Sequence, residues 1–325
     1  MDIDKFFFIN KNIISLKDFY DSSFLNGFNM MNYVFRGQGD KEYTLLPSAF
    51  RETEENKFIW EYNYESDWNF ILSELRNIIY FYKDCNRHGL PLPKIPDWLL
   101  YNSNGSRLNM MILKDRLLSS KIWVADELKE LFSLAQHYGI PTRFLDWTYN
   151  FNIALYFATM DSLKNTKKDF SIWFLHVLLL EDFKNYLREC NFEGHKVDEF
   201  PLSFIVPKYS DNLNINVQKG LLSSWEINLD EAYKNMNSMP LNNKPLEQLL
   251  RDFLETHVNI FEDFLKTYPY YRNKKILVKY NFSHNEGIEV LNFLKSQGID
   301  YGFIYPGYQS IVKQKKMDAD LLKWI

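Results

Sequence analysis

Hydrophobic positions along the chain change their period several times. Leu16, Phe19, Tyr20 and Phe24 recur near helical spacing, which predicts an amphipathic helix over Ser15–Asn26. Asn32–Phe35 predicts a short strand that stops at Arg36-Gly37-Gln38-Gly39-Asp40, where two glycines mark a turn. Tyr43–Leu46 predicts a second strand, ended by Pro47-Ser48. From residue 52 to 134 apolar side chains step by three and four, through Phe58–Leu75, Leu75–Tyr82 and Ile122–Leu134. Gly89-Leu90-Pro91-Leu92-Pro93 and Asn102–Ser106 break that pattern. Phe151–Met160 predicts a helix that Thr148 or Asn150 can cap, and Phe170–Leu179 a buried strand. The later half mixes short strands (Phe204–Val206, Ile276–Lys279, Gly302–Tyr305) with helices (Pro245–Tyr268, Asn285–Gln297). The class is α+β. With no internal repeat and no flexible linker, the chain divides into an N-terminal part (1–51), a helical insertion (52–134) and a remainder (135–325) of one unit.

Composition narrows the class of activity. At 46% hydrophobic and 25% charged, the 325 residues suffice for a real core, and scarce Gly and Pro argue against linker-rich or low-complexity chains. The net charge of −4 does not suit a protein held mainly by phosphate backbone. The one dense basic run, Lys313-Gln314-Lys315-Lys316, reads as a solvated helix face. Cys85 and Cys190 are too few for a disulfide scaffold or an all-thiolate metal site. Phe6–Ile9 is too short for a signal core, and Ile172–Leu180 falls far below the roughly 20 apolar residues of a membrane span. A cytoplasmic protein with no membrane partner is expected. Trp60, Trp68 and Trp123 read as packing residues.

None of the common phosphate-loop, dinucleotide, zinc-protease or serine-hydrolase motifs is present, and no metal site is expected. Two segments concentrate polar residues in apolar surroundings. In Tyr33-Val34-Phe35-Arg36-Gly37-Gln38-Gly39, an arginine at the end of an apolar strand holds a fork of donors where backbone can come close. That arrangement suits a phosphate or carboxylate; the alternative is an arginine paired with an acidic neighbour. In Ala135–Thr148, His137, Thr142, Arg143, Asp146 and Trp147 sit on a loop bent by Gly139 and Pro141 just before a helix, the makings of an anion or nucleotide rim. Arg143 and Asp146 can instead pair with each other, and His137 can be a satisfied buried histidine.

These residues carry a family resemblance. Phe35-Arg36-Gly37-Gln38, with Leu46-Pro47-Ser48 and Arg51, resembles the opening of an FRG domain, named for its Phe-Arg-Gly triplet. Gln136–Thr148 followed by Ala154-Leu155-Tyr156-Phe157-Ala158 resembles that family's most diagnostic segment. Asn216–Leu222 resembles its Gln-x-Gly element, and Gly302–Gly307 its terminal strand and turn. More distantly, an aromatic-Arg-Gly strand end is similar to the first motif of arginine-class ADP-ribosyltransferases. That resemblance implies a small mixed or antiparallel sheet and NAD as substrate. Arg36 would bind the diphosphate with Gly37 and Gln38 beside it, and Thr142 would fall in the central motif. His137, Arg143, Asp146 and Trp147 would line the nucleotide. The family's late acidic residue has no counterpart here: Gln218 and Gln309 stand at the matching positions, and Glu226, Glu286 or Glu289 could replace it in space.

The resemblance implies an NAD-dependent transferase acting as a toxin or antiviral defence effector. Its acceptor would be nucleic acid or protein, and an antitoxin or regulatory protein would control it. Two other readings stay open. One is a module that senses a nucleotide or phosphate without chemistry. The other is a nuclease using His137 with Asp146 or His176.

Overall fold

The computed structural model describes residues 1–21, 30–51, 66–97, 99, 115, 117–192, 199–207, 217–238 and 240–321. Its centre is a seven-stranded sheet. In chain order its strands are β1 (Phe7–Ile14), β2 (Tyr33–Gln38), β4 (Phe144–Thr148), β5 (Phe170–His176), β6 (Leu202–Ile205), β7 (Gly220–Trp225) and β9 (Leu277–Phe282). β3 (Ile122–Trp123) and β8 (Ile227–Asn228) form a separate two-stranded ribbon. The spatial order is β1-β9-β5-β2-β4-β7-β6, with β1 parallel to β9 and the other neighbours antiparallel. The fold is α+β with a mixed sheet. No helix among the described residues is long and apolar enough to cross a membrane.

The helices are α1 (Leu16–Asp21), α2 (Asp67–Arg87), α3 (Asp126–His137), α4 (Phe151–Asp161), α5 (Val177–Phe192) and α6 (Leu229–Lys234). They continue with α7 (Leu246–Thr256), α8 (Val258–Thr267), α9 (Gly287–Ser296), α10 (Tyr301–Ile304) and α11 (Tyr308–Leu321). Strand β5 shows why helices cover both faces, since all seven of its residues are buried. Trp173 and Leu175 join the core under α5, α7 and α8; Phe170, Ile172 and Phe174 join the one under α4 and α9. A third core joins α2 and α3 to Phe144 of β4 and Leu222 of β7.

Phe35 lies opposite Thr148, so Phe144, Asp146 and Thr148 face the same side as Phe35. On that side α4 covers the β2–β5 half of the sheet and α3 the β4–β7 half. The gap between these two helices positions the site.

Several elements differ from the sequence expectation, each for a local reason. β2 runs through Arg36 and Gly37 to Gln38, because Gly37 and Gln38 keep partners in Ile172 and Ser171 of β5. Tyr43–Leu46 is not a strand: the Lys41 and Tyr43 carbonyls accept from Lys279 Nζ, and the Thr44 carbonyl from Gln38 Nε2 at 2.9 Å. β5 ends at His176, whose Nδ1 accepts the Leu179 N–H (3.1 Å), so Val177–Leu179 open a helix. Gly302–Tyr305 falls mostly in the short helix α10, because Asp300 caps it by accepting the Phe303 N–H at 2.9 Å.

Pro245–Tyr268 is two helices, broken at His257. Ile122–Trp123 is ribbon rather than helix, and α3 starts at Asp126. The two helical patterns meeting at Leu75 merge into one helix from Asp67; residues 58–65 of the first, like 22–26 of the N-terminal one, lie outside the described residues. Asn150, not Thr148, caps α4 by accepting the Asn152 N–H at 2.9 Å.

Candidate functional site

Strands β2 and β4 meet through a single residue pair, Phe35 with Thr148, and then splay apart. On either side of this junction the neighbours keep a continuous register, five pairs between β4 and β7 and six between β2 and β5. The splay opens a cleft of about 440 Å³. Its floor is β2, β4 and β7; Ser133, Gln136 and His137 of α3 form one wall and Ala154, Phe157 and Asp161 of α4 the other. Gln218 and Tyr305 complete the rim.

Arg36 is the cation of the cleft. Its Nη1 donates to the Asp146 carbonyl at 2.8 Å and lies 3.6 Å from the Asp146 carboxylate. Its Nε is buried and has no hydrogen-bond partner among the described residues. Burial pushes the guanidinium below its usual pKa, and Asp146 pulls it partly back. A guanidinium with an unspent buried N–H is a ready fork for an anion.

Gly37 has a packing role. A methyl group there would overlap the Ala154 carbonyl, so glycine lets α4 lie directly on β2.

Asp146 is held from its other side. Thr142 Oγ1 accepts the Phe144 N–H at 3.2 Å, which leaves its proton for Gln136 Oε1. The Gln136 amide must then turn its Nε2 to Asp146 Oδ1, 2.6 Å away. Thr142 in turn is clamped by the loop after Pro47: its N–H donates to Ser48 Oγ (3.2 Å), and its carbonyl accepts from the Ala49 N–H (3.1 Å). Burial lowers the His137 pKa, against a smaller opposing pull from Asp146, so the imidazole is neutral near pH 7.

The sequence-selected residues therefore divide. Arg36, Gly37, His137, Asp146, Trp147 and Gln218 line the cleft. Thr142 lies behind it, fully buried, and reaches it through Gln136. Gln38 is structural, accepting the Trp173 indole N–H at 2.7 Å. Arg143 turns away and does not pair with Asp146. It is buried against Glu74 of α2, which also accepts the Trp123 indole N–H at 2.9 Å. Gln309 is exposed on α11, outside the residues that line the cleft.

Glu226 pairs with Lys184 at 3.5 Å and Glu286 accepts the Leu16 N–H; neither they nor Glu289 line the cleft. The acids that do are Asp146 and Asp161. Asp161 carried no sequence signal and is brought in by α4; Tyr305 stood in the quoted Gly302–Gly307 element, and its place at the cleft appears only with the end of α10. Gln136 stood in the quoted segment beside His137, and its role appears only with the Thr142 and Asp146 contacts in place.

Residues 102–167 match the family model of the FRG domain. The chain carries an FRG domain. The match takes in α3, β4 and α4, so both walls and one floor strand of the cleft are FRG sequence, while Arg36, Gln218 and Tyr305 lie outside it. It begins within the stretch read as a helical insertion. No curated protein and no solved structure matches the chain. Among the described residues, no group of three or more His, Cys, Asp or Glu is disposed to hold a metal ion.

Proposed function

We propose that the cleft of this FRG-domain protein binds the diphosphate of NAD on Arg36 and transfers ADP-ribose to an acceptor. The observation that carries the reading is an arginine with an unspent buried N–H and a carboxylate 3.6 Å away in one cleft. Arg36 supplies the anion grip. Asp146 supplies the negative charge that stabilises the oxocarbenium as it forms. In the transfer, the bond from ribose C1′ to the nicotinamide nitrogen breaks with its electron pair leaving on nicotinamide. An acceptor lone pair forms the new bond to C1′, and the acceptor's proton passes to neutral His137. The Thr142–Gln136 relay is a positioning device, since it fixes which Asp146 oxygen stays available. Such chemistry suits a toxin or defence effector held in check by a regulatory protein, the role that the resemblance implies.

The test is nicotinamide release from NAD by the purified chain, with and without cell extract, beside Arg36→Ala. Release that disappears in Arg36→Ala, while the variant melts like the parent, is the expected result. Release unchanged in that variant would overturn the role of Arg36. A second reading, a nucleotide sensor without chemistry, draws on the engagement of both Asp146 oxygens, Oδ1 by Gln136 and Oδ2 toward Arg36. It predicts NAD binding that needs Arg36 and no release under any condition.

A further inference from the structure

Helix α11 is amphipathic the wrong way round. Its inward side carries Gln314, which is buried, accepts the Tyr301 N–H at 2.7 Å and donates to Asp318 at 2.7 Å. Asp318 is committed as well, pairing with Lys295 at 2.8 Å. The outward positions, one helical stripe, are Tyr308 (95% exposed), Ile311, Val312, Lys315 and Lys316, all exposed, with Lys313 beside them. Ile311 is partly accounted for, since its Cδ1 packs on Gly302 of α10. Among the described residues Tyr308 and Lys316 make no such contact, whereas Lys313 lies over the Tyr301 ring at 4.7 Å and Lys315 helps to hold the Asp318 carboxyl below its usual range.

This stripe begins at the cleft. Tyr305 lines the cleft, and Tyr308 follows it across Pro306-Gly307, no more than about 11 Å away along the chain. Phe303 stands 42% exposed on α10 just before it. Lys315 and Lys316 come two helical turns further, roughly 10 Å along α11. On the rim, Lys219 is exposed between the cleft residues Gln218 and Gly220. Aromatic rings next to a polar cleft, followed along the helix by lysines, suit a strand whose bases stack and whose phosphates meet cations. An acidic protein helix would use the lysines but would have no need of a ring as exposed as Tyr308.

We infer that α10, the Pro306-Gly307 turn and the outward stripe of α11 dock a single-stranded nucleic acid and lead one of its bases to the cleft. That the base is the acceptor rests on the transferase reading; the docking does not. With three lysines engaged, binding is modest and salt-dependent, with a slope of log affinity against log salt of about −2.

The experiment is fluorescence anisotropy with labelled oligo(dT) and oligo(U) of about twelve nucleotides, at low salt and without NAD. The parent is expected to bind. Tyr308→Ala and the pair Lys315→Glu/Lys316→Glu are each expected to weaken binding by about tenfold. These side chains are exposed, so unchanged melting confirms that the variants are folded. No binding at low salt, or binding that ignores both changes, overturns the inference. Equal competition by poly-glutamate, with Tyr308→Ala without effect, overturns it in favour of an acidic protein. Oligonucleotide binding without nicotinamide release would sink the transferase reading and leave the docking surface standing; release without oligonucleotide binding would do the reverse.

Discussion

Two arginines sit close to β4 and have opposite fates. Arg143, beside the strand's first residue, is buried, and both Nε and Nη2 of its guanidinium donate to Glu74, the carboxylate that also takes the Trp123 indole N–H. Arg36 faces the splayed side, holds one backbone carbonyl and keeps Nε unused. The same side chain is a closed structural tie in one place and an open fork in the other. What differs is the company: α2 delivers a carboxylate to Arg143, whereas the gap between β2 and β4 leaves Arg36 facing a cavity. A buried cation whose partners are complete is part of the fold, and one left incomplete at a cavity is where a ligand belongs.

The sharpest way to break this comparison is to open the closed tie. Glu74→Ala leaves the Arg143 charge buried without its partner and is expected to cost about 3–5 kcal/mol in denaturant unfolding. A loss under about 1 kcal/mol would show that Arg143 is solvated and no different in kind from Arg36. Behind the sheet, fully buried His176 is held neutral: burial, and then Lys274, push its pKa to about 4, and Nε2 has no hydrogen-bond partner among the described residues. Its folded pKa lies below its unfolded value, so its contribution to stability is complete above about pH 6.5 and lost as pH falls toward 4. That loss is about 3 kcal/mol, and His176→Phe should flatten it in melts taken across the same range.

Gly37→Ala tests the packing half of the FRG triplet. Its methyl group meets the Ala154 carbonyl, and the expected cost is about 1–3 kcal/mol. A neutral result would mean that α4 shifts freely and that Gly37 serves the cleft alone. The smallest effect on stability, within about 0.5 kcal/mol, is expected for Asp146→Asn, whose side chain is 63% exposed. Titration with inorganic pyrophosphate should show it binding several-fold tighter than the parent, because Arg36 loses its internal competitor, while nicotinamide release falls. Weaker pyrophosphate binding would mean that Asp146 orients Arg36 rather than competing for it.

How much of this was legible follows the same division. β5 was readable because its residues are apolar on both faces, and α4 because an apolar helix followed an Asn cap. Arg36 was readable as an arginine at a strand end, and the Ala135–Thr148 segment by its polar density. β7 was not, since Ser223 and Ser224 are small polar residues buried in mid-strand, Ser223 to accept the Trp147 indole N–H at 2.8 Å. β1 was missed because its Asn10, Lys11 and Asn12 interrupt the apolar run. α10 was misread because Phe-Ile-Tyr favours strands, and only the Asp300 cap decides otherwise. Pairings such as Arg143 with Glu74, or the approach of Asp161 to Gly39, are products of helix packing and leave no local trace in the sequence.

The single bridging pair at Phe35 and Thr148 has one more consequence. It parts the sheet into two panels, β1-β9-β5-β2 and β4-β7-β6. The chain does not respect that parting: following the strands in order, it passes between panels on going from β2 to β4, from β4 to β5, from β5 to β6 and from β7 to β9. Neither panel is a continuous stretch of sequence, so the seam is stitched by backbone where it is barely joined by hydrogen bonds. A guest that wedges the seam wider is resisted by covalent thread, and the two halves return to the same alignment when it leaves.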